Sequence, residues 1–347
     1  MKIIFFVNKV KKSATARFRG YLISKCMNKT IPSKVIKVDE IYNRYNFNIR
    51  RIKNFSKYFK IINKTKKNDI LYLVKTVYNI DFLIVILISK YIFKKKIIFD
   101  FDDTIYLKPF TKLSTKILTF ISDAVIVGSN QLLKWAKKRN NKTFKIPTSV
   151  PHEVYRDKMN KKNKIFTIGW IGNGSNHLKN LKILKPVLEK LIKSKFQFKF
   201  KLIGLANNKE LLNFFKSINN LKFIYKNNIK WENVNSSVIE LKTFDLGIMP
   251  LVKDEKTLGK CAFKIIEYMA AGVPVIASSV GENKVVIKNK IDGFLVSNEK
   301  DWINKIVFLK KNTSLKNKMV KNAMEKVQNK YSNVSNVMKL EKIFKNI

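Results

Sequence analysis

The sequence predicts an α/β protein made of two doubly wound domains, and three observations lead to this prediction. Short continuous apolar runs alternate with longer helical patterns in both halves of the 347-residue chain. Such runs are typical of strands buried on both faces of a parallel sheet. A charged connector with Pro147 and Pro151 separates two series of them. The length suits two domains, which we place at residues 1–150 and 165–325, with a C-terminal helix over 326–347 packing back toward the first.

The predicted strands share an apolar core bounded by polar residues. In the first half they are Ile3–Val7, Ile70–Val74, Lys96–Phe101 and Ala124–Val127, with helices over Thr111–Ile121 and Gln131–Lys138. In the second half they are Phe166–Ile171, Phe198–Ile203, Phe223–Tyr225, Leu246–Met249, Val273–Ala277 and Gly293–Val296, with only helices after about residue 300. Ligands of such sheets bind in the loops after the strands, and two facing domains of this kind predict a cleft between them.

The net charge of the chain indicates which kinds of partner it can attract. The formal charge is +47, and residues 1–66 hold eighteen Lys/Arg against Asp39 and Glu40 alone. A positive field attracts phosphates, nucleic acid or an anionic membrane face, although compositional drift toward lysine explains the excess equally well. Lysine outnumbers arginine, and no nucleic-acid-binding motif is recognisable, so we expect no specific nucleic-acid partner.

The apolar runs and the cysteines of the sequence predict where in the cell the protein is located. The apolar run Phe82–Ser89 is far shorter than a membrane span, and the N-terminus is too short for a signal-peptide core. Cys26 and Cys261 match no metal or redox spacing, which favours free thiols in the cytosol. We expect a cytoplasmic protein, at most peripheral on the inner face of the plasma membrane.

The segment from Gly259 to Ser278 carries the most chemistry. It predicts a loop, a helix, a Gly-Val-Pro stop and a buried strand, with Gly272 as a left-handed helix cap. Glu267 lies on this helix one turn after Lys264, so a Lys–Glu surface pair is the simplest interpretation of the two.

The string Glu267-Tyr-Met-Ala-Ala-Gly-Val-Pro-Val-Ile-Ala, with the later Gly281 and Asp292-Gly-Phe-Leu, resembles the donor-binding signature of family-4 glycosyltransferases, which have the GT-B fold. The resemblance implies that Glu267 accepts hydrogen bonds from the two ribose hydroxyls of a nucleotide. A carboxylate is well matched to such a diol. It also implies that Lys260 and Lys264 face the diphosphate, with no metal and no cofactor beyond the nucleotide-sugar donor.

The chain departs from the family pattern at Gly259, where most members carry a second glutamate that touches the donor sugar. A subgroup with a Gly-Lys-Cys-x-Phe-Lys string resembles this chain more closely. In it, Asp254 or Glu255 supplies the missing carboxylate, and the sequence leaves both alternatives open.

The first strand of the second half ends in Gly172-Asn-Gly-Ser-Asn, a loop whose glycines let backbone N–H groups approach a phosphate. Family members often place a basic residue just after this loop, a position that Lys179 fills. Asn173 stands where an arginine is common. A solvated surface lysine is the competing interpretation of Lys179.

Two arginines follow the first strand. Ser13-Ala-Thr-Ala-Arg17-Phe-Arg19 resembles the opening of the same subgroup, and the resemblance implies that Arg17 and Arg19 grip an acceptor or donor phosphate. Exposed charges without a specific role are the alternative.

Asp100-Phe-Asp102-Asp103-Thr104 fits two families. An apolar strand followed by Asp-x-Asp-x-Thr resembles the nucleophile loop of haloacid-dehalogenase-type phosphatases, in which Asp100 would attack phosphorus. The glycosyltransferase subgroup has its own Asp-x-Asp-Asp at this place, which implies that Asp102 and Asp103 face acceptor or sugar hydroxyls. A capping role for Asp103 or Thr104 is a third interpretation.

The resemblance as a whole implies a retaining hexosyltransferase that takes a sugar from a nucleotide diphosphate and adds it to a cell-envelope glycan or lipid-linked acceptor. Asp102, Asp103 and Lys260 are the predicted catalytic residues. A phosphatase and a non-catalytic GT-B relative are the alternatives. The sugar, the nucleotide base and the acceptor are not specified by the sequence.

Overall fold

The computed structural model describes residues 1–8, 13–39, 49–156 and 163–347. The chain forms two compact units. The first consists of Met1–Ser149, Gly259–Cys261 and Asn333–Ile347, and the second of Val150–Leu258 and Ala262–Ser332.

The first unit contains a six-stranded parallel sheet. Its strands are β1 (Ile3–Val7), β2 (Ser33–Lys37), β3 (Ile70–Val74), β4 (Lys96–Phe101), β5 (Ala124–Val127) and β6 (Thr143–Lys145). Their order is β2-β1-β3-β4-β5-β6, with β1 and β3 buried along their whole length. Continuous apolar strands of this kind occur where helices cover both faces of a sheet.

Helices cover both faces of this sheet. They are α1 (Leu22–Met27), α2 (Ile49–Asn63), α3 (Ile80–Tyr91), α4 (Pro109–Ile121), α5 (Asn130–Lys137) and the C-terminal α16 (Asn333–Lys345). Core residues of α2, α3, α4 and α5 pack on one face, and those of α1 and α16 pack on the other. A π-helical turn, Ala16–Tyr21, leads into α1.

The second unit contains another six-stranded parallel sheet. Its strands are β7 (Phe166–Ile171), β8 (Phe198–Ile203), β9 (Phe223–Lys226), β10 (Leu246–Met249), β11 (Val275–Ser278) and β12 (Phe294–Val296). Their order is β12-β11-β10-β7-β8-β9. The order reverses beside β7, which places the loop after β7 at the switch point where such sheets bind ligands.

Among the described residues of the second unit, ten helices surround this sheet or follow it. They are α6 (His152–Arg156), α7 (Leu178–Leu181), α8 (Leu184–Lys193), α9 (Lys209–Lys216), α10 (Val234–Leu241), α11 (Glu255–Leu258), α12 (Phe263–Ala270), α13 (Asn283–Val286), α14 (Glu299–Lys311) and α15 (Thr313–Lys330). Asparagines cap several of them; the side chain of Asn298, for example, accepts a hydrogen bond from the N–H of Asp301 at the start of α14.

The predicted pair of doubly wound sheets is confirmed, and all ten predicted strands are present within two residues of their expected ends. Two strands were missed. β2 is only half-buried and β6 has three residues, and both lie at sheet edges. Edge strands need no continuous apolar run, so the pattern used to find the others does not detect them.

Within the residues that the structure describes, no helix has the length and apolar character needed to cross a bilayer.

Candidate functional site

Helix α12 of the second unit carries the buried carboxylate that the sequence singled out. The helix begins after Ala262, which adopts a left-handed conformation (φ 52°), and ends before Gly272 (φ 69°), as predicted for its cap. Glu267 is 8% exposed. The hydroxyl of Tyr155 on α6 donates a hydrogen bond to its Oε1 over 3.0 Å. This bond fixes one carboxylate oxygen of Glu267.

The interpretation of Glu267 and Lys264 as a solvated surface pair is therefore wrong, because Glu267 is buried. The ammonium of Lys264 lies 5.1 Å from the ring centre of Trp170 in β7. Its stem crosses Gly172, where an added Cβ would come within 2.3 Å of Cε of Lys264. Gly172 also has φ 155°, a conformation that residues with a Cβ rarely adopt, so a substitution here would be strained. Lys264 of α12 thereby lies against the loop after β7.

The glycine loop after β7 uses its N–H groups internally. Those of Gly172 and Gly174 donate to carbonyls at the end of β8 and just after it, over 3.0 Å and 2.7 Å. The side chain of Asn173 accepts from the N–H of Ser175 at 3.0 Å. These donors are occupied in the structure, and Lys264 of α12 places a positive charge beside this loop.

Asp254, one candidate for the missing carboxylate, already has partners. Lys179 lies 3.1 Å from its Oδ2, and the N–H of Thr257 donates to its Oδ1 at 2.8 Å. Burial acts to raise the pKa of Asp254, but the hydrogen bonds from Thr257 and Lys179 outweigh it and lower that pKa. Glu255 begins α11 with an exposed side chain. Lys179 and Asp254 thus form an exposed ion pair. Of the two candidate carboxylates, Asp254 and Glu255, only Glu255 has an exposed side chain.

The acidic loop of the first unit, after β4, surrounds a lysine. The ammonium of Lys75 lies 3.7 Å from Oδ1 of Asp102 and 3.6 Å from Oδ2 of Asp103. The hydroxyl of Thr15 lies 2.9 Å from both carboxylate oxygens of Asp102 and donates to them. Burial acts to lower the pKa of Lys75, but the two carboxylates outweigh it and raise that pKa. Lys75 therefore stays charged and holds the two aspartates together.

Asp103 is held in its ionised form. Burial acts to raise its pKa, but the charges of Lys75 and Lys260 and a hydrogen bond from the N–H of Thr104 lower it overall. That bond spans 3.0 Å to Oδ1 of Asp103. It does not cap the following helix, because the short 3-10 helix Ile105–Leu107 begins after Thr104 without a side-chain cap hydrogen bond, and the capping interpretation is wrong. Because Lys75 contacts both aspartates and Lys260 lies near Asp103, all three predicted catalytic residues belong to one electrostatic cluster.

The segment Gly259–Cys261 belongs to this first unit and packs against the acidic loop. The thiol of Cys261 donates to the carbonyl of Asp102 over 2.9 Å, and the carbonyl of Gly259 accepts from the hydroxyl of Ser129 over 3.1 Å. A Cβ at Gly259 would lie 2.1 Å from Cγ2 of Thr104. This position therefore has no room for the glutamate that the family pattern places there.

Arg19 is buried in the first unit, with its guanidinium bonded to protein atoms. Its Nε donates to Oδ1 of Asp100 over 2.6 Å, and its Nη1 donates to the hydroxyl of Thr148 over 3.1 Å. The hydroxyl of Tyr72 donates to the other oxygen of Asp100 over 2.6 Å. The interpretation of Arg19 as an exposed charge is wrong. Its predicted phosphate-binding role stays a prediction, one that requires these bonds to open.

Arg17 lies on the same π-helical turn and is only 4% exposed. Its guanidinium carbon lies 4.7 Å from the ring centre of Phe18. The exposed-charge interpretation is therefore wrong for Arg17 as well, and its contact with a phosphate remains a prediction.

Asp100, the nucleophile of the phosphatase alternative, is 2% exposed and paired with Arg19 and Tyr72. Burial raises its pKa, against the opposing effect of Arg19. A nucleophilic carboxylate has to reach the phosphorus atom of its substrate. This side chain is enclosed by protein, which contradicts the phosphatase interpretation.

Two residues of the site were missed in the sequence. Tyr155 lies on a five-residue helix within a stretch treated as a connector, and Lys75 carries no motif. Thr15 lies in the string that contains Arg17 and Arg19, but its contact with Asp102 was not predicted. Lys75 has φ 55°, an unusual conformation for a lysine directly after a strand, but this is visible only in the structure.

Residues 165–312 match the family model described as glycosyl transferases group 1. A curated relative, the UDP-Gal:alpha-D-GlcNAc-diphosphoundecaprenol alpha-1,3-galactosyltransferase of Escherichia coli, is 30% identical over 138 residues, which are 37% of this chain. The chain spans about a third (34%) of the length of that relative.

Solved structures with the same fold cover the whole chain. A glycosyltransferase from Rickettsia africae ESF-5 superposes with a TM-score of 0.73 at 17% identity, covering 99% of this chain and 98% of that one. Alr3699/HepE of Anabaena, in complex with UDP and glucose, superposes with a TM-score of 0.71 at 16% identity, covering all of both chains. The lipopolysaccharide outer core galactosyltransferase WaaB, in its apo form, gives 0.69 at 12% identity with the same full coverage. At these identities the likeness concerns the fold.

Proposed function

Because this chain belongs to the glycosyl transferases group 1 family, matched over residues 165–312, we propose that it transfers a hexose from a nucleotide-diphosphate sugar to a cell-envelope glycan or lipid-linked acceptor, with retention at the anomeric carbon. The single observation that carries the proposal is the buried carboxylate of Glu267, held by Tyr155 on the helix of the donor signature. A uridine diphosphate donor is supported by the UDP in Alr3699/HepE and by the UDP-Gal in the name of the E. coli relative.

In this proposal, Glu267 and Lys264 bind different parts of the donor. Glu267 accepts the ribose hydroxyls, a role that suits a carboxylate because both of its oxygens are acceptors. Lys264, held beside Gly172, offers a positive charge to the diphosphate. A fixed cation next to a departing diphosphate lowers the barrier because negative charge develops there as the sugar leaves.

The first unit contributes the acidic cluster in this proposal. Asp102 and Asp103 lie beside Lys75 and accept hydrogen bonds from hydroxyls of the acceptor or the sugar. Lys260 adds a second cation near Asp103. The net charge of +47 and the lipid-linked acceptor in the name of the E. coli relative support a peripheral position at the cytoplasmic face of an anionic membrane.

A thermal-shift panel of nucleoside diphosphates on the wild type and on Glu267→Ala tests the donor site. A ligand that binds only the folded state raises Tm, so we expect a shift with one nucleotide that is lost in the variant. Glu210→Ala, which removes an exposed carboxylate of the same unit, is the matched control and should keep the shift. Absence of a shift with every nucleotide would overturn the proposed donor site.

A further inference from the structure

Helix α4 turns polar side chains toward the sheet. Thr111, Thr115, Thr119 and Ser122 are buried, and each hydroxyl donates to a main-chain carbonyl, over 2.5 to 2.7 Å. Their spacing of three or four residues places them on one side of the helix. The buried hydroxyls of α4 are thus satisfied by nearby main-chain carbonyls, and Leu118 and Ile121 pack in the core beside them.

The opposite side of α4 exposes the large apolar residues. Phe110, Leu113 and Phe120 are 70%, 65% and 72% exposed, with half-buried Ile117 between them. Positions 110, 113, 117 and 120 follow helical spacing and form one stripe. A helix that packs on a sheet normally buries its apolar stripe and exposes its polar one. Besides the buried Leu118 and Ile121, α4 leaves a second apolar stripe exposed, as expected where a surface has a binding role.

The neighbouring helix has a similar stripe. α3 and α4 cover the same face of the sheet and follow the adjacent strands β3 and β4. On α3, Ile80, Ile84 and Tyr91 are 39%, 43% and 55% exposed, at helical spacing. We call the exposed residues Ile80, Ile84, Tyr91, Phe110, Leu113 and Phe120 the α3–α4 apolar face.

Basic residues accompany the α3–α4 apolar face. Lys108, Lys112 and Lys116 are exposed, with Lys112 and Lys116 one turn apart beside the apolar stripe of α4. The sequence of α4 contains no Asp or Glu. Aromatic and aliphatic side chains beside lysines, without acidic residues, are the composition of helices that lie in the interface of an anionic membrane.

We propose that the α3–α4 apolar face docks on a bilayer containing anionic lipids. Phe110, Leu113 and Phe120 enter the boundary between headgroups and acyl chains, while Lys112 and Lys116 contact lipid phosphates. The choice of a bilayer rests on the proposed function, since a lipid-linked acceptor would be presented there. A second copy of the chain fits less well, because the same lysines would face each other between two molecules that each carry a charge of +47.

Vesicle sedimentation with the full chain tests the proposal. The wild type should sediment with vesicles of phosphatidylglycerol and phosphatidylethanolamine and bind much less to vesicles of phosphatidylcholine alone. We expect Phe110→Ser with Phe120→Ser to weaken binding to the anionic vesicles at least ten-fold. We expect Lys112→Gln with Lys116→Gln to weaken it and to reduce its salt dependence.

Val334→Ser with Met338→Ser is the matched control, since these α16 residues are 58% and 57% exposed but lie outside the docking face. It should bind as the wild type does. Tm and the nucleotide-induced shift should be unchanged in all three variants, which separates docking from the donor site. Vesicle binding without any nucleotide shift would leave docking standing while the donor site fails.

Two results would overturn the docking proposal. One is a wild type that binds no anionic vesicles, or a Phe110→Ser, Phe120→Ser variant that binds them undiminished. The other is a wild-type dimer in light scattering that the same variant converts to a monomer, because the face would then serve protein association.

Discussion

The hydroxyl of Tyr155 donates to Oε1 of Glu267 over 3.0 Å, so a residue from the start of the second unit orients the carboxylate proposed to bind the donor ribose. A carboxylate that must meet two hydroxyls binds best when its rotamer is already fixed. In the proposed donor site, α6 therefore helps to position the carboxylate of α12.

Tyr155→Phe should weaken binding of the recognised nucleoside diphosphate about two- to ten-fold, the range of one net hydrogen bond. Calorimetric titration measures this directly. Glu267→Gln, which keeps the shape of the side chain but removes its charge, should reduce the affinity for the nucleotide more than Tyr155→Phe does. Equal affinity of Tyr155→Phe and wild type would contradict the orienting role.

Gly259→Ala should destabilise the protein by about 1–3 kcal/mol, because the new Cβ meets Cγ2 of Thr104. Thr104→Ser removes that methyl group and keeps the hydroxyl. The double variant should therefore recover part of the loss, and a double-mutant cycle from urea unfolding gives the coupling. Simple additivity of the two changes would show that the methyl group is not what excludes a side chain here.

Arg19→Met should destabilise the protein by about 3–5 kcal/mol, because it leaves Asp100 buried without its cation. Asp100→Asn in the same background should restore part of this loss. Arg156→Met, at an exposed arginine, should change stability by no more than about 0.5 kcal/mol. A loss of transferase activity at unchanged stability would instead support the predicted contact of Arg19 with phosphate.

Lowering the pH should reduce the free energy of unfolding, because Asp103 becomes protonated. Its pKa lies below the ordinary 3.8 in the folded protein, so its contribution to stability is complete above the unfolded-state pKa and is lost as pH falls through the lower folded-state value. Urea unfolding of wild type and Asp103→Asn at several pH values tests this. The difference in unfolding free energy should be largest near neutral pH and shrink below about pH 4. A difference that grows toward low pH would contradict the direction of the shift.

The features that could be predicted from the sequence are those encoded by a single continuous stretch of residues. The apolar runs located ten strands, and the string around Glu267 located the helix that carries this buried carboxylate. Relations between residues far apart in the chain were missed. The crowding of Gly259 by Thr104 and the placement of Lys75 against Asp102 depend on how loops of different strands meet, which no spacing encodes. The edge strands β2 and β6 were missed because half-buried or very short strands leave no apolar run.

The assignment of Gly259–Cys261 to the first unit, between two stretches of the second, bears on how this enzyme can be recombined. A chimera that exchanges everything after residue 164 would import a foreign tripeptide beside Asp102 and a foreign α16 beside α1. Grafts of a new second unit should therefore retain the native residues at 259–261 and 333–347. Natural exchange of the second unit between relatives would face the same restriction, and these eighteen residues would have to change together with the first unit.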